Sequence, residues 1–284
     1  MSTTTNHYWM SEVPDINRLR IGELILPGSH DSGSDKQAPD FQWPQEITQD
    51  FAPLHQLRHG IRALDLRVAF YGKYPPGDAR RFQLFHKTSS GRTVAGDILQ
   101  ALKTFYADER AFKEIVVLDF HEFRDFTAEA HSELQALILS MLGERLVSEK
   151  WAGLTLDELY TTHPGANVVA AYNHYTSSTS LWEGVDQRWS GKNLISTTDL
   201  KHFMDSTITR YKARNALVAI QCAKYVLPLH VPDDFKEVIN QWFKSEHSES
   251  YIQNFFIINT DWATRSELVN NCKHANQVKA QRVA

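Results

Sequence analysis

With 284 residues, 42% of them hydrophobic, the chain can bury a large core, either as one α/β barrel or as a pair of ordinary domains. Its 30 basic and 34 acidic residues leave a net charge of −4, which argues against a nucleic-acid partner and against a general electrostatic hold on anionic membranes. Cys222 and Cys272 stand fifty positions apart without a CxxC or metal-ligand spacing, so they read as buried free thiols and not as a disulfide or zinc framework.

Residues 1–10 carry no basic stretch followed by an apolar run, and no segment approaches the length of a membrane span. The expectation is a soluble chain, cytoplasmic or secreted with its signal removed. Short apolar runs follow at Glu23–Leu26, Ile61–Val68, Phe82–Phe85, Glu114–Phe120, Asn167–Ala171, Leu217–Ala223 and Phe255–Asn259. Consecutive apolar positions such as Ile115-Val116-Val117-Leu118 suit parallel strands buried on both faces. Tyr71–Ala79, rich in Gly and Pro, reads as a loop.

Between the runs lie stretches of helical spacing. Val94, Ile98, Leu99, Leu102 and Phe105 share one face, as do Leu134, Leu137, Ile138, Met141 and Leu142. Further helices are expected at Thr198–Tyr211, capped by Thr197, at Asp233–Lys244 and at Ser266–Lys279. The alternation predicts one domain over residues 1–284, an irregular TIM-like (βα)8-type barrel of the α/β class.

In such folds the chemistry sits at the carboxyl ends of the strands. After the first run comes Pro27-Gly28-Ser29-His30-Asp31, the second contains Asp65-Leu66-Arg67, the third ends on His86, the fourth on Asp119-Phe120-His121-Glu122 and the last on Asp261. Any one of these reads equally as a polar residue closing a strand; together they are harder to dismiss, because burying charges without partners is costly. Histidines suit proton transfer near neutral pH, and an arginine offers a permanently charged fork for phosphoryl oxygens. The set fits cleavage of a phosphodiester by a general acid and a general base.

These residues resemble the X-domain of phosphatidylinositol-specific phospholipases C, most closely the stand-alone X-domain proteins. The resemblance is carried by LILPGSHDSGS at 24–34, TQDFAPLHQLRHGIRALDLRVAF at 48–70, FHKTSSGRTVAGDIL at 85–99, EIVVLDFHEF at 114–123 and IINTDWA at 257–263. It implies that His30 is the base activating the inositol 2-hydroxyl, with Asp261 as its partner. It implies that His86 is the acid protonating the diacylglycerol oxygen, that Asp31 links this acid to the arginine, and that Arg67 clamps the phosphate. The products implied are diacylglycerol and 1,2-cyclic inositol phosphate, with no serine or cysteine nucleophile; no GxSxG elbow is present.

The calcium-dependent relatives carry a carboxylate where Arg67 stands, so the resemblance favours a site without metal or other cofactor. A calcium site built from Asp31, Asp65 and Glu122 is the alternative, prompted by the acidic ending of the fourth run. Lys87 and Glu122 are candidates for phosphate and inositol contacts, and Tyr172 for an aromatic platform or a core tyrosine. His121 is a solvated loop residue or a hydroxyl partner. Trp43, Trp182 and Trp189 fall in expected loops, where they would dip into a membrane interface or serve as core. The implied partners are a phosphatidylinositol lipid and, transiently, a membrane surface. Competing readings are a catalytically silent inositol-lipid-binding X-domain and a metal-dependent barrel phosphodiesterase for another lipid headgroup.

Overall fold

The structure, a computed structural model, describes residues 6–210, 217–245 and 250–283. Its strands are β1 Leu26–Ser29, β2 Ala63–Phe70, β3 Phe82–Phe85, β4 Ser89–Thr93, β5 Val116–Arg124, β6 Val168–Tyr172, β7 Leu181–Glu183, β8 Asp186–Arg188, β9 Val218–Cys222, β10 Tyr225–Val226, β11 Val231–Pro232 and β12 Ile257–Thr260. The α-helices are α1 Pro53–Arg58, α2 Gln100–Phe105, α3 Ala128–Leu142, α4 Leu156–Thr162, α5 Thr197–Arg210, α6 Lys236–Trp242 and α7 Leu268–Arg282.

The sheet runs in the order β7-β6-β5-β2-β1-β12-β9-β8, parallel at every step, with β3 and β4 attached to β2 as an antiparallel hairpin. Its two ends, β7 and β8, are neighbouring parts of the single stretch 181–188. One pairs with β6 and the other with β9, so the sheet curls back toward its own start. This is the expected TIM-like α/β architecture in irregular form, since not every strand is followed by a full helix.

Periodicity located most elements and misplaced some ends. Phe82–Phe85 is a strand with the expected bounds. The first strand is shifted: Ile21–Glu23 turns as a 3-10 helix held by Arg20 N donating to Glu23 Oε2 (2.8 Å), and pairing begins at Leu26 and runs through Pro27 and Gly28. A Cβ on Gly28 would fall 2.1 Å from Asn259 Oδ1, and one on Gly33 would fall 2.4 Å from Leu84 Cδ1, so the PGSHDSG run needs both glycines for close approach. Residues 94–105 form one helical stretch that begins with a π turn over Val94–Leu99. The cap of α5 is Ser196, whose Oγ accepts from Asp199 N at 3.0 Å, and Thr197 is already helical; Tyr211, the expected end, lies outside the described residues.

Apolar side chains fill the curled sheet and the layer between it and the helices, with a second cluster beneath α5, α6 and α7. Cys222 and Cys272 are free and buried in that second cluster. At the amino-terminal end of β2 and β5 the barrel is closed by a fully buried ion pair, Arg62 Nη2 to Glu114 Oε2 at 2.7 Å. Arg62 also donates to the carbonyls of Leu57, Ile61 and His7, and Glu114 accepts from the amides of Met10 and Ser11.

Candidate active site

Because β1, β2, β5 and β12 are parallel neighbours, the residues ending them meet at one rim. His30 follows β1 and its amide donates to Thr260 O at 3.0 Å, which sets it beside Asp261 at the end of β12. Its Nδ1 lies 2.7 Å from Asp261 Oδ1, and its Nε2 lies 3.0 Å from Arg67 Nη2. An arginine only donates, so this contact is a hydrogen bond when the His30 proton sits on Nδ1 and the Nε2 lone pair is free. Burial works against a charged His30, but the Asp261 carboxylate outweighs it and holds the imidazole above its ordinary pKa. The ring is therefore a proton acceptor with its open nitrogen turned toward a fixed cation.

Asp31 adopts a left-handed backbone, φ 50°, which Asp tolerates better than most residues. Its amide donates to Asp65 Oδ2 at 3.1 Å, and its carboxylate reaches between two partners, Arg67 Nε at 3.6 Å and His86 Nδ1 at 3.3 Å. His86 follows β3 directly and aims Nδ1 mainly at the Glu46 carbonyl, 2.9 Å away. Its Nε2 lies 3.3 Å from the Tyr225 hydroxyl, which also contacts Gln45 O at 3.1 Å. The two imidazoles stand edge to face with centroids 6.3 Å apart.

Arg67 stands two residues past Asp65 on β2 and so shares its face, and the extra residue in the β2–β5 register is His121 on β5, which sets His121 and Glu122 beside that pair. Burial disfavours its charge, and Asp31, Asp65 and Glu122 more than restore it, so the guanidinium stays ionised. On the other side of Asp65, His121 Nδ1 sits 2.6 Å from Asp65 Oδ1. Burial opposes a charged His121 but that carboxylate pushes its pKa up to about 9, and burial notwithstanding, the imidazole holds Asp65 well below the usual carboxylate range. Asp119, one strand over, is pushed up to about 7 by burial; Gln187 Nε2 donates to its Oδ2 at 2.5 Å.

A cavity of about 410 Å³ opens above this set, lined by His30, Arg67, His86, His121, Glu122, Gln187, Trp189, Asn193, Gln221 and Tyr225. Several polar atoms in or beside it are buried without a hydrogen-bond partner: Asp31 Oδ2, Arg67 Nε, Asp119 Oδ1 and Asp261 Oδ2. Buried polar atoms are nearly always paired, so their concentration here marks a surface shaped for something polar. A base, an acid and a fixed cation facing one cavity can move a proton at each end of a phosphodiester.

No protein-family model matches the chain. It is 28% identical over 163 residues to PI-PLC X domain-containing protein 3 of Danio rerio, covering 49% of this chain and 48% of that protein. It is 26% identical over 241 residues to PI-PLC X domain-containing protein 2 of Homo sapiens, covering 76% of each. The match thus spans about half the length of the first relative and about three quarters of the second. The chain is thus similar to the PI-PLC X domain-containing proteins. Among solved structures, phosphatidylinositol-specific phospholipase C from Listeria monocytogenes superposes with a TM-score of 0.70 at 17% identity, covering 96% of this chain and 99% of that one. A variant of the Staphylococcus aureus enzyme gives 0.68 at 14% identity, covering 96% and 97%. At these identities the two structures bear on the fold.

The X-domain segments are the ones that the structure draws together, and several side residues fall elsewhere than expected. His30, Asp31, Arg67, His86 and Asp261 meet as described. Glu122 lies on the cavity rim, 3.5 Å from Arg67 Nη1 and half exposed. Lys87 is exposed and outside the cavity, its carbonyl accepting from Arg124 Nη1 at 2.7 Å. Tyr172 points the other way, because alternation along β6 turns it to the helical layer: it packs on Phe120 and Phe123, and its hydroxyl meets His131 Nδ1 at 3.0 Å. The tyrosine that lines the cavity and meets His86 is Tyr225. The acidic and imidazole groups close enough to share an ion, among the described residues, are Asp65, Asp119 and His121, whereas Asp31 and Glu122 are drawn to Arg67.

Trp182 is buried in β7 with its indole donating to Val147 O at 2.8 Å, so it is core; Trp43 and Trp189 are exposed. Sequence reasoning passed over Gln49 and Gln56, which lie inside a quoted segment. Gln49 Nε2 donates to the carbonyls of His30 (2.8 Å) and Thr260 (3.0 Å), and Gln56 Nε2 to that of Ser32 (2.8 Å), so the two amides brace the His30 turn. Gln187, Asn193, Gln221 and Tyr225 were also missed, since none of the segments that carry the resemblance falls between residues 124 and 256.

Proposed function

We propose that the protein is a phosphodiesterase that cleaves phosphatidylinositol by attack of the lipid's own inositol 2-hydroxyl. His30 Nε2 takes the proton from that hydroxyl as its oxygen forms the new bond to phosphorus, and Asp261 steadies the imidazolium so formed. Arg67 moves its donors from His30 to the phosphoryl oxygens, where charge builds in the transition state. His86 gives the Nε2 proton to the diacylglycerol oxygen as the old P–O bond breaks. The products are diacylglycerol and a five-membered cyclic phosphate, which water then opens with the histidines in reversed roles. His121, Glu122, Gln187 and Gln221 supply donors and acceptors for the remaining ring hydroxyls.

The observation that carries this reading is the placement of a guanidinium within 3.0 Å of one histidine and, through Asp31, beside a second, above a cavity that keeps unpartnered polar atoms. The fixed positive charge of Arg67 and the capture of Asp31 and Glu122 by it support a reaction without calcium. Segments that reach the cavity also carry exposed apolar side chains: Phe41 and Trp43 before Gln45, Trp189 after β8, and Leu227 and Leu229 on the β10–β11 hairpin. They suit contact with a lipid surface, where the substrate resides.

The test is phosphatidylinositol in chelator, followed by phosphorus NMR. The expected first product is the cyclic phosphate, with a 2-O-methyl lipid bound but unreacted. An acyclic monophosphate from the first time point, or turnover of the 2-O-methyl lipid, means that water is the nucleophile and the mechanism is wrong. Lipid binding without any turnover leaves the silent binding domain as the function.

A further inference from the structure

The acid of this site is held by a loop that carries no residue of the X-domain set. The Glu46 carboxylate is fully buried, and no cation hydrogen-bonds to it among the described residues. It accepts from Trp43 N at 3.0 Å, from Thr88 N at 2.8 Å and from Thr88 Oγ1 at 2.9 Å. Burial alone would raise its pKa; these donors and the charge of His86 bring it below the usual range, so it stays ionised. Thr88 closes the turn after His86, since His86 N donates to Thr88 O at 3.2 Å. The carbonyl of the same Glu46 accepts from His86 Nδ1, and the carbonyl of Gln45 holds the Tyr225 hydroxyl that meets His86 Nε2. Residues 45 and 46 therefore govern both nitrogens of one imidazole, and the carboxylate staples their loop to the turn that carries it.

We infer that Glu46 is a positioning residue for His86, fixing the direction in which the ring presents its Nε2 proton to the leaving oxygen. The inference rests on the phosphodiesterase reading above. Misdirecting an acid matters in proportion to the leaving group's need for a proton. An alkoxide such as that of diacylglycerol must be protonated as the P–O bond breaks; a nitrophenolate leaves as the anion.

The experiment compares a short-chain phosphatidylinositol, below its micellar concentration, with 4-nitrophenyl inositol phosphate for the wild type, Glu46→Gln and Thr88→Val. Glutamine keeps the size of the side chain but turns an N–H toward one of the present donors. On the lipid its kcat is expected to fall roughly 10- to 100-fold, part of the 10²–10⁴ that a general acid supplies, with KM little changed. The loss on the nitrophenyl ester is expected to be at least tenfold smaller. Thr88→Val removes one donor and gives the same bias in weaker form, which keeps the test valid where Glu46→Gln folds poorly. Equal losses on the two substrates, or no loss on the lipid, overturn the positioning role. A wild type inert on both overturns the phosphodiesterase reading and this inference with it.

Discussion

Two arginines lie five residues apart, the buried Arg62 just before β2 and the partly buried Arg67 within it, and they have opposite surroundings. Arg62 meets Glu114 and three carbonyls, and every nitrogen of its guanidinium has a partner. Arg67 is met by an imidazole at 3.0 Å and by carboxylates only at 3.5–3.6 Å, with Nε left without a hydrogen bond. The first charge is neutralised and closed off; the second is held in place with directions left open. Buried charge by itself does not mark function, because Arg62 has as much of it as Arg67. Incomplete satisfaction beside a cavity does.

The largest effect that separates them is on rate. Arg67→Gln is expected to lower kcat by roughly two to three orders of magnitude, the scale of losing a donor to developing phosphoryl charge, while the protein stays folded. His30→Ala and His86→Ala should each cost about two to four orders, measured on the same lipid with circular dichroism as the control for folding. Turnover near that of the wild type in a folded Arg67→Gln protein would erase the contrast.

Arg62→Ala should do the reverse. It leaves Glu114 ionisable and buried without its cation, which typically costs about 3–5 kcal/mol. Urea unfolding is expected to show that loss, with activity per folded molecule little altered. Burial already raises the pKa of Glu114 despite Arg62, so the stranded carboxyl would take up a proton.

A buried carboxylate near Arg67, Asp119, sharpens the comparison through pH. Its pKa is pushed up to about 7 by burial, above an unfolded value near 3.8, so the folded protein binds the extra proton between those values. The stability this contributes is complete below about pH 4, is lost as pH rises through 7, and leaves a buried carboxylate with one unpartnered oxygen above that. Asp119→Asn is therefore expected to gain stability relative to the wild type as pH goes from 4 to 8, by on the order of a few kcal/mol at most. Denaturant midpoints that differ equally at both pH values would mean that Asp119 is ionised throughout.

Which of these features could be read from the chain depends on how local their cause is. The strands of the barrel announce themselves as unbroken apolar runs, because both their faces are buried, and the polar residues that end them stand out against that background. That His30, Arg67, His86 and Asp261 end strands at one rim was legible for this reason. The direction of a side chain off a strand end is set by register, which the chain does not spell out. Tyr172 follows an apolar run just as His86 does, yet faces α3, while Tyr225, three residues past β9, turns inward. The calcium alternative meets the same limit: Asp31 and Glu122 lie near Arg67 in space, and the groups close enough to share an ion, among the described residues, are Asp65, Asp119 and His121. Glu46 gave no signal, since its role depends on a partner forty-two positions away.

The smallest effect belongs to Glu122, and it tests whether distance and exposure rank these contacts correctly. Its carboxylate is 3.5 Å from Arg67 Nη1, close to the contact made by Asp31, but its side chain is 47% exposed where that of Asp31 is 2%. Water screens an exposed pair and leaves its long side chains most of their freedom, so such contacts are worth about 0–1 kcal/mol. Glu122→Gln should therefore shift the unfolding free energy by less than about 0.5 kcal/mol, within the usual range for a surface substitution. The amide keeps an oxygen toward the guanidinium and can still meet a ring hydroxyl, so any change in activity should appear in KM before kcat. A fall in kcat approaching that of Arg67→Gln would mean that Glu122 steers the arginine in the bound state, and the open directions around Arg67 would then be fewer than the free site displays.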